Sequence, residues 1–469
     1  MIYLNNNKKL TGGSFTFDGK VKAISNNAIN KDIFKEFFSR FSYTYSSLEI
    51  TEINSLEFIV GNPKKIELNG NSYAINVDNN GIYLVGDNTN SLIWAFMTLI
   101  DQIKICEENN KTSLLIECFT LAETPLIKNR IVHYCIFPET KLYEFERFIR
   151  FCGALKYTHI ILEFWGTLKY DALSELSWNN AFTKEEIKPI INLANDLGIE
   201  VVPMLNCWGH ASSSRVIFGK HVVLDQNLSL ASYFTEDGWC WDIKKDKVKI
   251  LLSKMRNELI ELCGSGNYFH IDCDEAYNFN LRDKENMDLI CDYVNEIALE
   301  LKEKNRKTIM WGDMLISRRT EFNPKNRYCC YSPSIDSEKY MLNKISKDII
   351  IADWQYTCEY APVETALIFK DAGFNVALCP WDRSAEELYS CTTTVKDNEL
   401  FGFIHTTWNS LAMGMPYVAM ASVASFENSA PSLMTMRPRT ASLLRKVYDC
   451  KGEYEKSGWA NIQTGVGIK

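Results

Sequence analysis

The run TKEEIKPIINLANDLGIEVVPMLNCWGH, Thr183 to His210, holds a helix, a stop and a strand in that order. Thr183 and Glu186 stand at the spacing of a capping box, in which each side chain bonds the other's backbone N–H. Ile187, Ile190, Ile191, Ala194 and Leu197 share one face at helical period. Gly198 offers the left-handed residue that ends a helix. The β-branched run near 200–205 reads as a buried strand, and it releases the chain into Trp208 and His210.

The same rhythm extends in both directions. Strand-like runs fall near 131–136, 159–164, 200–205, 268–273, 308–312, 349–353, 374–379 and 402–407. Helical patterns lie between most of them, at 140–155, 183–197, 246–263, 285–304, 363–372 and 384–398. Eight strand–helix repeats over roughly 300 residues predict a (β/α)8 barrel, with a doubly wound open sheet as the runner-up. Between the fifth and sixth strands the pattern is poor, and NRYCCYS reads as a possible extra strand.

Residues 1–122 follow a different pattern, that of a small α+β domain. SFTFDGKVKAI and SYAINVDNNGIYLVG alternate polar and apolar residues, with Asp78-Asn79-Asn80-Gly81 as the hairpin turn. TNSLIWAFMTLIDQI then reads as a helix capped at Thr89 or Asn90. The barrel is expected over 126–445, and 446–469 reads as a polar tail.

Composition narrows the function classes. Hydrophobic residues make up 46% and charged residues 23% of the 469 positions, a globular balance. A net charge of -8 without a basic run argues against nucleic acid or an anionic membrane as partner. The opening MIYLNNNKKLTGG lacks the basic-then-apolar pattern of a signal peptide, and no run is long enough to span a bilayer. The 15 cysteines have no regular spacing, so reduced thiols and a cytoplasmic location are expected. The sequence carries no sign of oligomeric state.

YFHIDCDEAYNFN, Tyr268 to Asn280, places Asp272, Asp274 and Glu275 where the fourth strand should end. Active sites of such barrels lie at the C-terminal strand ends. Neighbours on a strand face opposite ways, so Asp274 and Glu275 converge only if the chain leaves the strand there. Capping of the next helix is the plain alternative. Other strand ends weigh against it: the third delivers Trp208 and His210, the fifth Trp311 and Asp313, and the sixth Asp353, Trp354 and Tyr356. The seventh delivers Trp381, Asp382 and Arg383, and the eighth Trp408 and Asn409. Indole walls over a carboxylate floor suit a pyranose ring, whose faces are apolar and whose edge needs hydrogen bonds.

In order and spacing, RIVHYCIF, IEVVPMLNCWGH, YFHIDCDEAYNF, TIMWGDML, IADWQY and GFIHTTWN resemble glycoside hydrolase family 20, the β-N-acetylhexosaminidases. The resemblance covers nearly the whole chain, the small leading domain included. It implies substrate-assisted retention, in which the sugar's own acetamido oxygen attacks the anomeric carbon and forms an oxazoline. Glu275 would be the general acid and base, and Asp274 would hold the acetamido N–H. Arg130 would bind the 3- and 4-hydroxyls, and His210 would link the acid to a strand-two carboxylate, for which Glu163 is the nearest candidate. Trp311, Trp354 and Trp408 would wall the pocket, with Trp408 beneath the ring. Mutual repulsion of two adjacent carboxylates would keep one protonated and the other ionised.

Two departures concern specificity. The family's acetamido-binding tyrosine is missing from CPWDR, which offers Trp381 and Asp382, so Tyr356 or Tyr277 would serve. Its Trp-x-Glu after the eighth strand is replaced by Trp408-Asn409-Ser410, which leaves gluco- and galacto-configured sugars both open. The substrate class is a small glycan or glycoside, with no cofactor. The competing readings are a catalytically silent carbohydrate-binding barrel, and a metal-dependent hydrolase built on His210, His270, Asp272 and Asp274.

Overall fold

The computed structural model describes residues 2–3, 7–16, 22–23, 66–108, 111–211, 227–277, 279–408 and 411–447. Strands β1 (Lys9–Thr16), β2 (Lys22–Ala23), β3 (Tyr73–Asp78), β4 (Gly81–Gly86), β5 (Lys104–Glu108) and β6 (Lys111–Glu123) form one sheet. Its order is β1-β6-β3-β4-β2, with β5 on β6, and only the β2–β4 pair is parallel. Asp78 pairs with Gly81, so the expected hairpin turn is present. Helix α1 (Thr89–Gln102) is capped one residue earlier than the sequence suggests. Asn88 accepts the Ser91 N–H at 3.0 Å, and Ser91 Oγ answers the Asn88 N–H at 3.1 Å. Ser91 was overlooked because its hydroxyl does the work usually given to Glu at that spacing.

The barrel is closed and parallel. Its strands are β7 (Asn129–Cys135), β8 (His159–Glu163), β9 (Glu200–Met204), β10 (Tyr268–His270), β11 (Lys307–Trp311), β12 (Ile350–Trp354), β13 (Asn375–Cys379) and β14 (Gly402–His405). Ring closure runs through β14 and β7, where Ile404 pairs with Ile131. The open-sheet alternative is thereby excluded. Period-two alternation sorts each strand: Ile131, Ile161, Val202, Ile309, Ile350 and Ile404 fill the interior, whereas Val132, Ile160, Val201 and Phe403 pack on the helices.

The six expected helices are present within a residue or two of their expected ends. In the opening stretch, Thr183 accepts the Glu186 N–H at 3.2 Å and Glu186 accepts the Thr183 N–H at 2.8 Å. Gly198 ends that helix at φ +72. Three further helices, Ile335–Lys344, Leu411–Phe426 and Leu433–Val447, were not foreseen. NRYCCYS is not a strand but an irregular segment whose ties include the Tyr331 N–H to Asp313 O at 2.9 Å and the Ser332 N–H to Ile316 O at 3.0 Å. The tail from 448 lies outside the described residues.

Candidate active site

At the end of β10 the backbone abandons the strand. Asp272, Cys273 and Glu275 adopt φ values of +61, +78 and +47. Left-handed backbone at residues other than glycine costs about 1–3 kcal/mol each and persists only where neighbours enforce it. Here they do. Asp272 O accepts the Trp311 N–H at 3.0 Å, and the Glu275 N–H donates to Asp313 Oδ2 at 3.0 Å. The Trp239 indole donates to Glu275 O at 2.7 Å. A Cβ on Gly209 would lie 1.8 Å from Asp274 O, so only glycine lets the β9 loop come this close. The twist places consecutive carboxylates on one side, as their joint use requires.

That approach delivers His210, whose Nε2 lies 2.9 Å from Glu275 Oε2 and 3.6 Å from Asp274 Oδ2. Tyr331 donates its hydroxyl to Glu275 Oε1 at 3.2 Å, and the Tyr277 hydroxyl is 3.4 Å from that of Tyr331. Burial and the neighbouring Asp272 push Asp274 well above the usual carboxylate range, and its Oδ1 has no hydrogen-bond partner among the described residues. Burial also acts to raise Glu275, but the His210 hydrogen bond and the two tyrosine hydroxyls outweigh it and hold Glu275 low. The pair is split, with Asp274 pushed towards its protonated form and Glu275 towards its ionised form. The sequence implied such a split without the hydrogen bonds from His210 and the tyrosines that set its direction.

Trp354 and Tyr356 are stacked, with centroids 5.1 Å apart, and Tyr356 lies 5.2 Å from Trp381. The Trp408 indole donates to the Tyr356 hydroxyl at 2.7 Å. These four rings form the aromatic side of the mouth, with Asp382 half-buried beside Trp381. Tyr277 belongs to the opposite, acid side. Trp311 is fully buried in the barrel interior, 6.1 Å from Trp408, and Trp208 is buried against Phe279 at 5.0 Å. Two of the five strand-end tryptophans are therefore core. Asn409 lies outside the described residues.

Two assignments need correction. Arg130 sits at the start of β7 with the outward parity of Val132, at the far end of the barrel from Glu275. Its guanidinium donates to the carbonyls of Lys156 and Ile127, both at 2.9 Å, and lies 4.5 Å over Trp94. It cannot reach a sugar at the mouth. Glu163 does not meet His210 either: inward-facing on β8, it is 2.9 Å from His133 Nε2 on the neighbouring strand. His133 Nδ1 accepts the Thr407 N–H at 3.3 Å, and its ring packs 4.5 Å from Trp408.

Three residues at or beside the site have no part in the sequence reading, His133, Trp239 and Tyr331, and a fourth, Asp313, has no stated role there. Asp313 was visible as a strand-end acid, and burial raises it to about 7. Trp239 and Tyr331 come from irregular loops, where no periodicity marks them. Among the described residues no group of three or more His, Cys, Asp or Glu is arranged to hold a metal ion, and the set His210, His270, Asp272 and Asp274 does not form one. No helix among them is long and apolar enough to cross a membrane.

Residues 159–380 match the family model described as glycosyl hydrolase family 20, catalytic domain. Hexosaminidase D of Bos taurus is 26% identical over 175 residues, which is 34% of this chain and 48% of that protein, so the match spans about half of that curated relative. The chitobiase of Flavobacterium johnsoniae superposes with a TM-score of 0.69 at 15% identity, over 99% of this chain and 73% of its own. The exo-β-N-acetylglucosaminidase of Vibrio harveyi, in complex with N-acetylglucosamine, gives 0.70 at 15% identity over 95% and 77%. At that identity both likenesses speak for the fold. Closed barrel, leading sheet domain and family match agree, and residues 159–380 resemble the catalytic domain of glycosyl hydrolase family 20.

Proposed function

We propose that this protein is an exo-acting β-N-acetylhexosaminidase, releasing terminal non-reducing β-linked N-acetylhexosamine with retention through an oxazoline. The observation that carries the reading is the enforced left-handed turn that sets Asp274 and Glu275 side by side within reach of His210. A pure binding protein has no use for so costly a backbone behind a general acid.

In this mechanism the acetamido oxygen forms the bond to the anomeric carbon as the glycosidic C–O bond breaks, and Glu275 protonates the departing oxygen. Asp274 accepts the acetamido N–H and offsets the charge of the oxazolinium. Binding of that N–H favours the ionised form of Asp274, so its proton must leave. His210 Nε2, close to both carboxylates, is the group placed to pass it to Glu275. Water, activated by Glu275, then opens the oxazoline. The half-buried rings of Tyr356, Trp381 and Trp408, backed by the buried Trp354, provide the sugar-stacking wall.

A panel of aryl glycosides varying the 2-substituent (acetamido or hydroxyl) and the 4-configuration tests the mechanism and the sugar preference together. Hydrolysis confined to 2-acetamido sugars is the expected result. Equal cleavage of 2-hydroxy sugars would overturn the reading, and the ratio between 4-epimers would assign GlcNAc or GalNAc preference.

A further inference from the structure

Asp313 follows β11 and is almost fully buried, yet both of its carboxylate oxygens serve the site. Oδ2 accepts the Glu275 N–H at 3.0 Å, and Oδ1 accepts the Trp354 indole N–H at 3.2 Å. Its carbonyl accepts the Tyr331 N–H at 2.9 Å, and the Tyr331 hydroxyl in turn donates to Glu275 Oε1. The acid's backbone, one of its hydroxyl partners and the aromatic wall thus converge on one side chain and its own peptide. The Glu275 φ of +47 makes the first of these bonds consequential, since a left-handed residue needs enforcement from outside.

We infer that Asp313 is a positioning residue for the hydrolysis, a single rigid carboxylate that sets the spacing between the backbone of Glu275 and the indole of Trp354. A sugar lying along the wall then meets the acid in one register. This rests on the hexosaminidase reading above. The chemistry requires a carboxylate: two N–H donors face the residue, and an amide has one acceptor oxygen, so Asn would set its NH2 against one of them.

Buried acids also serve as plain structural acceptors, and leaving-group dependence separates the two roles. A mispositioned acid harms substrates whose departing oxygen needs a proton and spares those that leave unaided. For Asp313→Asn, kcat/KM on an alkyl 2-acetamido-β-glycoside should fall about 10–100-fold, the scale of a misplacement near 1 Å. On the dinitrophenyl glycoside the loss should stay within about threefold, because acid assistance adds little there. Trp354→Phe should lower both substrates alike, since it removes wall and leaves Glu275 held. Adding Trp354→Phe to Asp313→Asn removes the opposed donor and frees the amide oxygen for the Glu275 N–H. The double variant should therefore regain the shallow leaving-group dependence of Trp354→Phe.

Equal losses on both substrates in Asp313→Asn, or a double variant whose losses multiply, would overturn the inference and leave the hexosaminidase reading intact. If Asp313→Asn alone fails to fold, the double variant decides, and a steep leaving-group dependence in it overturns the proposal. A wild-type protein inactive on every 2-acetamido glycoside would remove the reading and this inference together.

Discussion

The two ends of the barrel both bury charge, and they treat it in opposite ways. At the N-terminal end Lys156 reaches Glu123 at 3.2 Å, the Tyr73 hydroxyl at 3.0 Å and Thr98 Oγ1 at 3.3 Å. Its ammonium also lies over the rings of Tyr3 and Phe426, at 3.7 and 3.8 Å. Arg130 beside it is held by carbonyls and by Trp94. These contacts join the leading sheet to the barrel. At the mouth, carboxylates crowd carboxylates, Asp274 Oδ1 has no hydrogen-bond partner among the described residues, and the backbone is forced left-handed. Matched buried charge holds domains together; mismatched buried charge waits for a ligand.

The comparison predicts that changes at the mouth damage rate and leave stability alone. Glu275→Gln is the sharpest case. Loss of acid and base assistance should lower kcat on unactivated glycosides about 10²–10⁴-fold. The urea midpoint should stay near that of wild type, because Gln keeps acceptor and donor for His210 and Tyr331. A variant with near-normal turnover would break the catalytic half of the comparison.

Substitution at the other end should do the converse. Lys156→Met leaves Glu123 buried without its cation, and breaking a buried pair by removing one partner costs about 3–5 kcal/mol. Urea unfolding should show that loss, while kcat/KM of the folded variant at low temperature stays within about twofold, as expected of sites that do not share partners. A large drop in kcat/KM without loss of stability would mean that the two ends are coupled.

The amino-acid sequence made the barrel legible because both of its periodicities are strong. The strands alternate between two apolar surroundings, and most helices have one apolar face. The helix Leu411–Phe426 escaped because LAMGMPYVAMASVASF is apolar on almost every side, and a helix buried all round shows no moment. Asp274 and Glu275 stood out from helix-capping acids because other strand ends carry tryptophans and acids as well. Arg130 misled for a reason visible in hindsight. A residue at the start of a barrel strand lies at the closed end, whatever motif it resembles. The partner of Glu163 was not legible, since His133 meets it across adjacent strands and no local spacing announces the pair. Trp239 and Tyr331 reach Glu275 from loops whose paths no local rule fixes.

The smallest expected effect concerns His405, the last residue of β14, fully buried with neither ring nitrogen hydrogen-bonded among the described residues. Burial, helped by His133, pushes it from the ordinary 6.5 down to about 3. The unfolded chain therefore takes up a proton at this residue where the folded one does not. The stability tied to the neutral ring is complete above 6.5 and is lost progressively as pH falls towards 3. That loss is at most about 1.4 kcal/mol per pH unit, or about 2 kcal/mol at pH 5. His405→Phe removes the titrating group and keeps a flat ring in the same apolar place. Its plot of unfolding free energy against pH should be shallower than that of wild type between 6.5 and 5, by up to one proton. Because the buried acids Asp313 and Asp353, raised to about 7 and about 6, oppose this trend in both proteins, only the difference between the two curves is diagnostic. Parallel curves would mean that the His405 ring gains its proton inside the fold, and that the mouth tolerates positive charge as readily as the base does.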